Sequence, residues 1–261
     1  MSTLSRTGAI VSYDLIGDSA LPCVTLVNGH TRSSSDFRMM ARNLGEAGFS
    51  ALLIDNRGAG KSEVTQSFTI KDMWDDIVAI WDDIGVQTSH LLGISMGGFI
   101  SQGLAITHPE RVDRLILVST APEEKFIVST GPGWSVDNGK IEEKLAAYFA
   151  PGFIDRNPLL FSTMVAQIRQ AAVSGKFLER SNLQRDAMKG ATLTAMLGKI
   201  QAKTLIIHGG LDQVIPVAAA KVLQTEIYGA KMEILQNAGH LLLAETPKDL
   251  YRLVIDFLRG V

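Results

Sequence analysis

The chain has 261 residues, which is enough for one sizeable hydrophobic core with an insertion. Its formal net charge is −2, so the charge favours neither nucleic acid nor an anionic membrane as a partner. Residues 1–25 contain no apolar segment flanked by positive charge, so no secretory signal is predicted and we expect a cytoplasmic location. The single cysteine, Cys23, lies in an apolar strand-like run and is interpreted as a small buried hydrophobe.

Short apolar segments that suit strands alternate with amphipathic segments that suit helices along most of the chain. Strands are predicted at residues 9–16, 23–28, 50–54, 115–118, 204–207 and 231–235. Helices are predicted at residues 36–48, 70–85, 217–228 and 247–258. Strands that are apolar on both faces and alternate with helices indicate an α/β protein with a mostly parallel sheet covered on both sides. In such sheets the active groups gather at the carboxyl ends of the strands.

The alternation breaks between residues 122 and 200, where helical signals dominate at 141–149, 158–173, 177–188 and 192–200. We interpret 122–200 as a helical insertion that forms a lid, entered through the turn-rich residues 129–133, between core segments 1–121 and 201–261. Some of its large side chains are candidates for a substrate pocket, although each could equally pack the lid against the core. The candidates are Trp134, Tyr148, Phe149, Phe153, Phe161, Met164, Met188 and Met196.

A serine lies between two glycines at Gly93-Ile94-Ser95-Met96-Gly97, where an apolar strand-like segment meets a helix-like one. A Cβ atom at either glycine would collide with the neighbouring strand or helix, so glycine permits a tight and exposed turn. Ser95 is therefore a candidate nucleophile, the alternative being an ordinary serine in a glycine-rich turn. The uncharged stretch 90–109 approaches membrane-spanning length, but glycines and serines interrupt it and no membrane span is predicted.

A serine hydroxyl needs a general base at neutral pH, usually a histidine that a carboxylate orients. Among the five histidines, His240 follows the last predicted strand and projects from a loop at a strand end. Asp212 leaves the carboxyl end of the preceding strand, so adjacent parallel strands would bring it to the same edge as His240. The alternatives are a surface-loop histidine and a turn aspartate that binds its own backbone. His208, at the end of its strand, is interpreted as a structural histidine.

Five sequence blocks carry a resemblance to the α/β-hydrolase superfamily over essentially the whole chain. They are DNRGAGKS (55–62), GISMGG (93–98), HPERV (108–112), HGGLD (208–212) and AGH (238–240). The chain looks most similar to small lidded esterases and lactonases of the 3-oxoadipate enol-lactone hydrolase type. The resemblance implies the α/β-hydrolase fold, Ser95 as nucleophile, His240 as general base and then acid, and Asp212 as its orienting carboxylate. The order Ser, Asp, His along the chain is the order of that fold.

The resemblance also implies an oxyanion hole made of two backbone N–H groups. One belongs to Met96 at the start of the helix after Ser95, where the helix dipole favours negative charge. The other should follow the strand at 23–28. The family usually has His-Gly before the donor residue there, while this chain has Asn28-Gly29-His30, so by position the second donor is the His30 amide. Loss of one such donor typically costs about 3 kcal/mol of transition-state stabilisation.

No cofactor and no metal are predicted. Gly60-Lys61-Ser62 resembles the end of a phosphate-binding loop, but the first glycine of that motif would fall at Asp55. Asp55 and Arg57 are instead interpreted as bracing loops near the site. The histidines and carboxylates show no metal-ligand spacing.

The sequence therefore predicts a serine hydrolase that cleaves a small-molecule carboxylic ester or lactone through an acyl-enzyme. A carbon–carbon bond hydrolase, a thioesterase or a perhydrolase could use the same triad, although carbon–carbon hydrolases usually carry a longer glycine-rich oxyanion motif. Epoxide hydrolases and haloalkane dehalogenases need aspartate where Ser95 stands. From a different class, the fold also serves as a non-catalytic binding protein, and fold-level likeness does not separate the two.

Overall fold

The computed structural model describes residues 1–128, 140–173 and 175–261. Its strands are β1 (Ser2–Arg6), β2 (Ala9–Ile16), β3 (Cys23–Val27), β4 (Ser50–Asp55), β5 (Glu63–Val64), β6 (Ser89–Ile94), β7 (Val112–Val118), β8 (Lys203–Gly209) and β9 (Lys231–Leu235). Its α-helices are α1 (Arg38–Glu46), α2 (Ile70–Asp83), α3 (Met96–Thr107), α4 (Lys140–Ala146), α5 (Phe153–Arg156), α6 (Pro158–Val173), α7 (Lys176–Met188), α8 (Val217–Glu226), α9 (Leu242–Glu245) and α10 (Pro247–Arg259). Short 3₁₀ helices span Ser34–Phe37, Pro109–Arg111, Glu124–Phe126 and Thr194–Lys199.

The strands form one sheet in the order β1-β2-β4-β3-β6-β7-β8-β9, with β5 paired to β2. From β4 through β9 every neighbouring pair is parallel, whereas β1, β2 and β5 pair antiparallel at one edge. The central strands β3, β4 and β6 are buried along their whole length, because layers of helices cover both faces. The predicted mostly parallel sheet is confirmed.

Two helical layers enclose the sheet. Helices α1 and α10 cover one face, and α2, α3 and α8 cover the other. Successive residues of β4 point to opposite layers: Leu52 and Ile54 join the α2–α3 core, while Ala51 and Leu53 join the α1–α10 core. This alternation between two apolar layers explains why the strand has no polar face in the sequence.

The structure differs from the predicted elements where the apolar signal is weak. Strand β1 was not predicted, because it is a largely exposed edge strand that pairs with β2 through its backbone. Strand β7 begins at Val112, since the polar pair Asp113 and Arg114 continues the backbone ladder before the apolar run. The predicted helix at 192–200 is the 3₁₀ helix Thr194–Lys199. Helices α5 and α9, each four residues long, were also missed.

The chain between β7 and β8 is helical in its described part, apart from an isolated bridge between Glu123 and Thr192. The apolar side chains of α4 to α6 form a small core of their own, which contains Ile141, Leu145, Phe149, Phe153, Met164 and Val165. This agrees with the predicted helices, and the division into core segments and lid stays a prediction. The predicted entry turn at 129–133 and Trp134 lie outside the described residues.

A buried ion pair ties the loop after β4 to helix α2. The Arg57 guanidinium donates two hydrogen bonds, of 2.6 and 2.8 Å, to the Asp76 carboxylate, and a third to the Thr7 carbonyl oxygen. Both paired side chains are less than 5% exposed, at 4% and 3%. The carboxylate raises the pKa of Arg57. Asp55 accepts the backbone N–H groups of Ser34 and Lys61, so both predicted bracing residues do hold loops.

We expect Asp76→Ala to lower the free energy of unfolding by about 3–5 kcal/mol, because it leaves the Arg57 charge buried without its partner. The matched control is Asp75→Ala on the same helix, where the carboxylate pairs with the exposed Lys71. That exposed pair should contribute at most about 1 kcal/mol. Urea unfolding followed by circular dichroism measures both, and equal losses in the two variants would contradict this account.

Candidate active site

The three residues predicted as a triad meet at the carboxyl edge of the sheet. Ser95 follows β6, Asp212 follows β8 and His240 follows β9, and β8 and β9 are parallel neighbours. His240 Nδ1 lies 2.8 Å from Asp212 Oδ2, and His240 Nε2 lies 3.1 Å from Ser95 Oγ. The structure therefore joins the three side chains in one chain of hydrogen bonds.

Ser95 occupies a strained turn directly before α3, with φ 55° and ψ −121°. Such a conformation persists only where the surroundings impose it. A Cβ on Gly97 would lie 2.1 Å from the Val27 carbonyl oxygen, and one on Gly93 would lie 2.3 Å from the Gly97 carbonyl oxygen. The predicted need for glycine on both sides of the serine is confirmed. The Thr120 hydroxyl fixes the turn further by donating to the Ser95 carbonyl oxygen at 2.6 Å.

The Asp212 carboxylate is held on both of its oxygens. Oδ1 accepts the backbone N–H groups of Val214 and Ile215, at 2.9 and 2.8 Å, while Oδ2 faces His240. Its side chain is fully buried. The aspartate thus binds its own turn and orients the histidine at once, so the two interpretations drawn from the sequence coexist.

The His240 loop is held from the helical insertion. The His240 N–H donates to the Tyr148 carbonyl oxygen at 2.8 Å, and the Tyr148 ring lies edge-on to the imidazole with centroids 5.4 Å apart. The Glu245 carboxylate accepts the N–H groups of both Gly239 and Ala150, at 3.1 and 2.9 Å. Sequence reasoning missed Glu245, because a glutamate at the end of a four-residue helix carries no signal of this role.

His208 supports the same turn from below. Its Nε2–H donates to the Ile215 carbonyl oxygen at 2.8 Å and lies 3.4 Å from Asp212 Oδ2. The imidazole is fully buried, and its Nδ1 has no hydrogen-bond partner. Since a carbonyl oxygen only accepts, the histidine is the Nε2–H tautomer. The structural role predicted for His208 is confirmed.

Asn28, the departure from the family pattern, organises the loop after β3. Its Nδ2 donates to the Ser33 carbonyl oxygen at 2.8 Å and to Asp36 at 3.0 Å, while its Oδ1 accepts the Gly29 N–H at 2.8 Å. Asparagine therefore fixes this loop through three hydrogen bonds made by one side chain.

The two predicted oxyanion donors belong to segments that border Ser95. The Met96 N–H is at the first position of α3, where a helix leaves its N–H groups without an internal partner. The loop of His30 touches the serine, since a Cβ on Gly29 would lie 3.7 Å from Ser95 Oγ. An anion beside Ser95 Oγ would thus face the start of a helix and the backbone of this loop.

Helix α7 of the insertion holds the same loop from outside. Gln184, fully buried, accepts the Thr31 N–H at 2.7 Å and donates to the Arg57 carbonyl oxygen at 2.7 Å. His30 Nε2 donates to the Ser181 carbonyl oxygen at 2.9 Å. Thr31 has φ 61°, which is unusual for a β-branched residue. Sequence reasoning missed Gln184 and Ser181, because no local pattern links them to a loop about 150 residues earlier.

The cavity beside Ser95 is small, at about 10 Å³, which is room for about one water molecule. Besides Ser95, its wall contains the polar residues Thr120 and Glu123 and six apolar side chains. The apolar side chains are Met96, Phe99, Ala121, Ile127, Met188 and Ile215. A larger cleft of about 360 Å³ lies between the chain around α5 and Gln213, and its wall contains no member of the triad.

Of the large side chains named as pocket candidates, Met188 lines the cavity beside Ser95 and Tyr148 contacts His240. Phe149, Phe153, Phe161 and Met164 instead pack in the core of the insertion. Met196 is partly exposed on its 3₁₀ helix. Packing within the insertion is thus the commoner outcome.

Within residues 1–128, 140–173 and 175–261, no three His, Cys, Asp or Glu side chains are grouped so that they could hold a metal ion. In the same residues no helix has the length and apolarity to cross a membrane.

Comparison with known proteins gives consistent matches. A family model described as serine aminopeptidase, S33, matches residues 18–247. The chain is 24% identical to 3-oxoadipate enol-lactonase 2 of Acinetobacter baylyi, over 94% of this chain and 92% of that protein. It is 32% identical to 2-hydroxymuconate semialdehyde hydrolase of Pseudomonas sp. strain CF600, over 72% and 68%. The crystal structure of the enol-lactonase from Burkholderia xenovorans LB400 superposes with a TM-score of 0.84 at 25% identity, over 99% and 100% of the two chains. These matches confirm the α/β-hydrolase fold.

Three histidines that are wholly or partly buried should make folding stability depend on pH. Burial lowers the pKa of His30, His90 and His208 from the ordinary value of 6.5. Below pH 6.5 the unfolded chain therefore binds more protons than the folded chain. The free energy of unfolding then decreases as the pH is lowered, until the pH is below the pKa that each histidine has in the folded protein. We expect the free energy of unfolding to decrease between pH 7 and pH 5, by up to about 1.4 kcal/mol per pH unit for each histidine.

Urea titrations at a series of pH values measure this decrease. The glutamine amide in His30→Gln can still donate to Ser181. The variant should reduce the slope of the free energy of unfolding against pH by an amount that corresponds to at most one bound proton. Ser162→Gln, a non-titratable exposed position on α6, is the control and should leave the slope unchanged. Stability that stays level or rises from pH 7 to pH 5 would refute the assignment of buried neutral histidines.

Proposed function

This chain belongs to the α/β-hydrolase family described as serine aminopeptidase, S33, and from that premise we propose that it hydrolyses a small-molecule carboxylic ester or lactone. The observation that carries the proposal is the hydrogen-bonded series Asp212–His240–Ser95 at the N-terminus of α3. A relative named 3-oxoadipate enol-lactonase, similar over nearly the whole chain, supports an acyl-oxygen bond as the one cleaved.

The geometry suits acyl transfer in two steps. Ser95 Oγ attacks the carbonyl carbon while His240 Nε2 takes its proton, and Asp212 keeps the imidazole in the required tautomer and orientation. The leaving alcohol then takes the proton from His240 and departs. Water, activated by the same imidazole, cleaves the acyl-enzyme and releases Ser95. No cofactor enters either step.

The N–H groups of Met96 and His30 are the proposed oxyanion hole. The first carries the positive end of the α3 dipole, and helices favour negative charge at that end. The second belongs to a loop that Asn28 fixes from inside and Gln184 fixes from outside. Preorganised donors of this kind stabilise the charge that develops in the transition state without having to reorient.

The helical insertion, residues 122–200, is proposed as a lid that also positions the catalytic groups. Its chain at Tyr148 and Ala150 holds the His240 loop, and its α7 holds the loop of His30. A lid bound to both halves of the site controls catalysis as well as access. Met188 of α7 lines the cavity beside Ser95, so the insertion is also proposed to set which substrate group fits there.

A carbon–carbon bond hydrolase is the second candidate, favoured by the 32% identity to 2-hydroxymuconate semialdehyde hydrolase. The short Asn28-Gly29-His30 sequence argues for the ester or lactone instead. The same triad also suits the hydrolysis of thioesters and the formation of peracids. A non-catalytic binding protein would retain product after a single turnover, whereas the proposed enzyme turns over repeatedly.

Steady-state hydrolysis of p-nitrophenyl esters from acetate to octanoate tests the proposal. Ser95→Ala and His240→Ala should each lower kcat by about 10⁴-fold or more, because either change removes the unit that generates the nucleophile. The controls Ser162→Ala, on an exposed face of α6, and His108→Ala should keep the full rate. An undiminished rate in either triad variant would show that the assignment is wrong.

Gln184→Leu tests the bracing of the oxyanion loop. The substitution keeps the side-chain volume but leaves the Thr31 N–H and the Arg57 carbonyl oxygen buried without partners. We expect kcat to fall about tenfold or more with KM nearly unchanged, since the loop acts on the transition state. Asn182→Leu, exposed on the same helix, is the control. A rise in KM at constant kcat would assign Gln184 to substrate binding instead.

A further inference from the structure

One charged side chain, that of Glu123, forms part of the wall of the cavity beside Ser95 as the structure describes it. Six of the other wall residues are apolar and Thr120 is neutral. Glu123 lies after β7, in the segment that leads from the sheet into the helical insertion. A carboxylate in an otherwise apolar wall acts on whatever part of the substrate enters there.

The carboxylate is fixed by two partners that do not line the cavity. Oε1 accepts the Thr194 hydroxyl, and Oε2 pairs with Lys125 Nζ at 2.7 Å. The backbone of Glu123 pairs with that of Thr192 in an isolated antiparallel bridge. These contacts bind Glu123 to the exit of the insertion, so its position is set by two segments of the fold.

The partner of Glu123 points to solvent rather than into the cavity. The Lys125 side chain is 67% exposed, against 16% for Glu123, and its ammonium group lies over the Phe126 ring. The ion pair lowers the pKa of Glu123, so the carboxylate stays ionised at neutral pH. The Glu123 carboxylate therefore faces the cavity, while the Lys125 ammonium group is exposed to solvent.

We propose that Glu123 sets the substrate class of this site: the substrate group that binds beside Ser95 and against Glu123 is uncharged, and carboxylate-bearing groups are rejected. The inference rests on the proposed ester or lactone hydrolysis. Like charges repel more strongly beside apolar walls than in water, and rejecting the wrong group is an established route to specificity. Because Lys125 offsets part of the repulsion, the discrimination depends on both members of the pair.

Two pairs of esters that differ only in charge measure this discrimination. On the alcohol side they are 4-carbamoylphenyl acetate and 4-carboxyphenyl acetate, and on the acyl side they are methyl succinamate and monomethyl succinate. Acid release is followed by pH-stat titration. We expect kcat/KM of the wild type to favour the neutral ester at least tenfold in one pair or both, which corresponds to about 1.4 kcal/mol.

Two variants should move this preference in opposite directions. Glu123→Gln, which keeps the shape of the side chain and the acceptor for Thr194, should reduce the preference for the neutral ester several-fold. Lys125→Ala, which leaves the carboxylate uncompensated, should increase it. Glu124→Gln, the same charge change one residue along and outside the cavity wall, is the control and should leave it unchanged.

An unchanged preference in Glu123→Gln would overturn the inference. So would a smaller or unchanged preference for the neutral ester in Lys125→Ala, because an uncompensated Glu123 carboxylate must repel the anionic ester more strongly. Arylboronic acids, which add to a nucleophilic serine, separate this failure from failure of the proposed function. If no ester is turned over, calorimetry should still show 4-carbamoylphenylboronic acid binding more tightly than 4-carboxyphenylboronic acid, with the gap reduced in Glu123→Gln. Equal affinities in both proteins would overturn the inference independently of turnover.

Discussion

The close approach of helix α3 to strand β3 is the constraint on which the site depends. Only glycine at position 97 permits it, since a Cβ there would meet the Val27 carbonyl oxygen at 2.1 Å. The approach holds Ser95 in its strained turn directly before α3 and brings the loop after β3 alongside the serine. The positions of the proposed nucleophile and of the proposed oxyanion donors therefore depend on one packing contact.

The remaining parts of the site are assembled on this turn from two directions. On the side of the sheet, Asp212 and His240 follow neighbouring parallel strands and are joined by a hydrogen bond. His208 stabilises the turn of Asp212 through its hydrogen bond to Ile215. On the side of the helical insertion, Tyr148 binds the His240 loop and Gln184 binds the proposed oxyanion loop, in both cases through hydrogen bonds to the backbone. A displacement of the insertion would thus alter the positions of the proposed catalytic groups as well as the entrance to the site. The sequence of the insertion is therefore constrained by both roles.

The parts of this molecule that could be predicted from sequence are those whose signal is local. Strand β9 has the predicted bounds 231–235, because a short apolar run between turns is typical of a strand. Ser95, Asp212 and His240 could be brought together in the prediction because each follows a strand that the pattern identifies. Strand β1 has no apolar face to detect, and Gln184, Glu245 and Glu123 act through contacts that the tertiary fold alone creates. Asn28 departs from the family pattern, and only the structure reveals the hydrogen bonds it makes in place of histidine.

The most direct test of the central claim, that His240 makes Ser95 a nucleophile, is covalent labelling with a fluorophosphonate, followed by peptide mapping in a mass spectrometer. The account predicts one adduct per chain, on Ser95, with a labelling rate that falls at least 100-fold in His240→Ala, because the imidazole takes the proton from the hydroxyl. An adduct on another serine, or an equal labelling rate in the His240 variant, would contradict it.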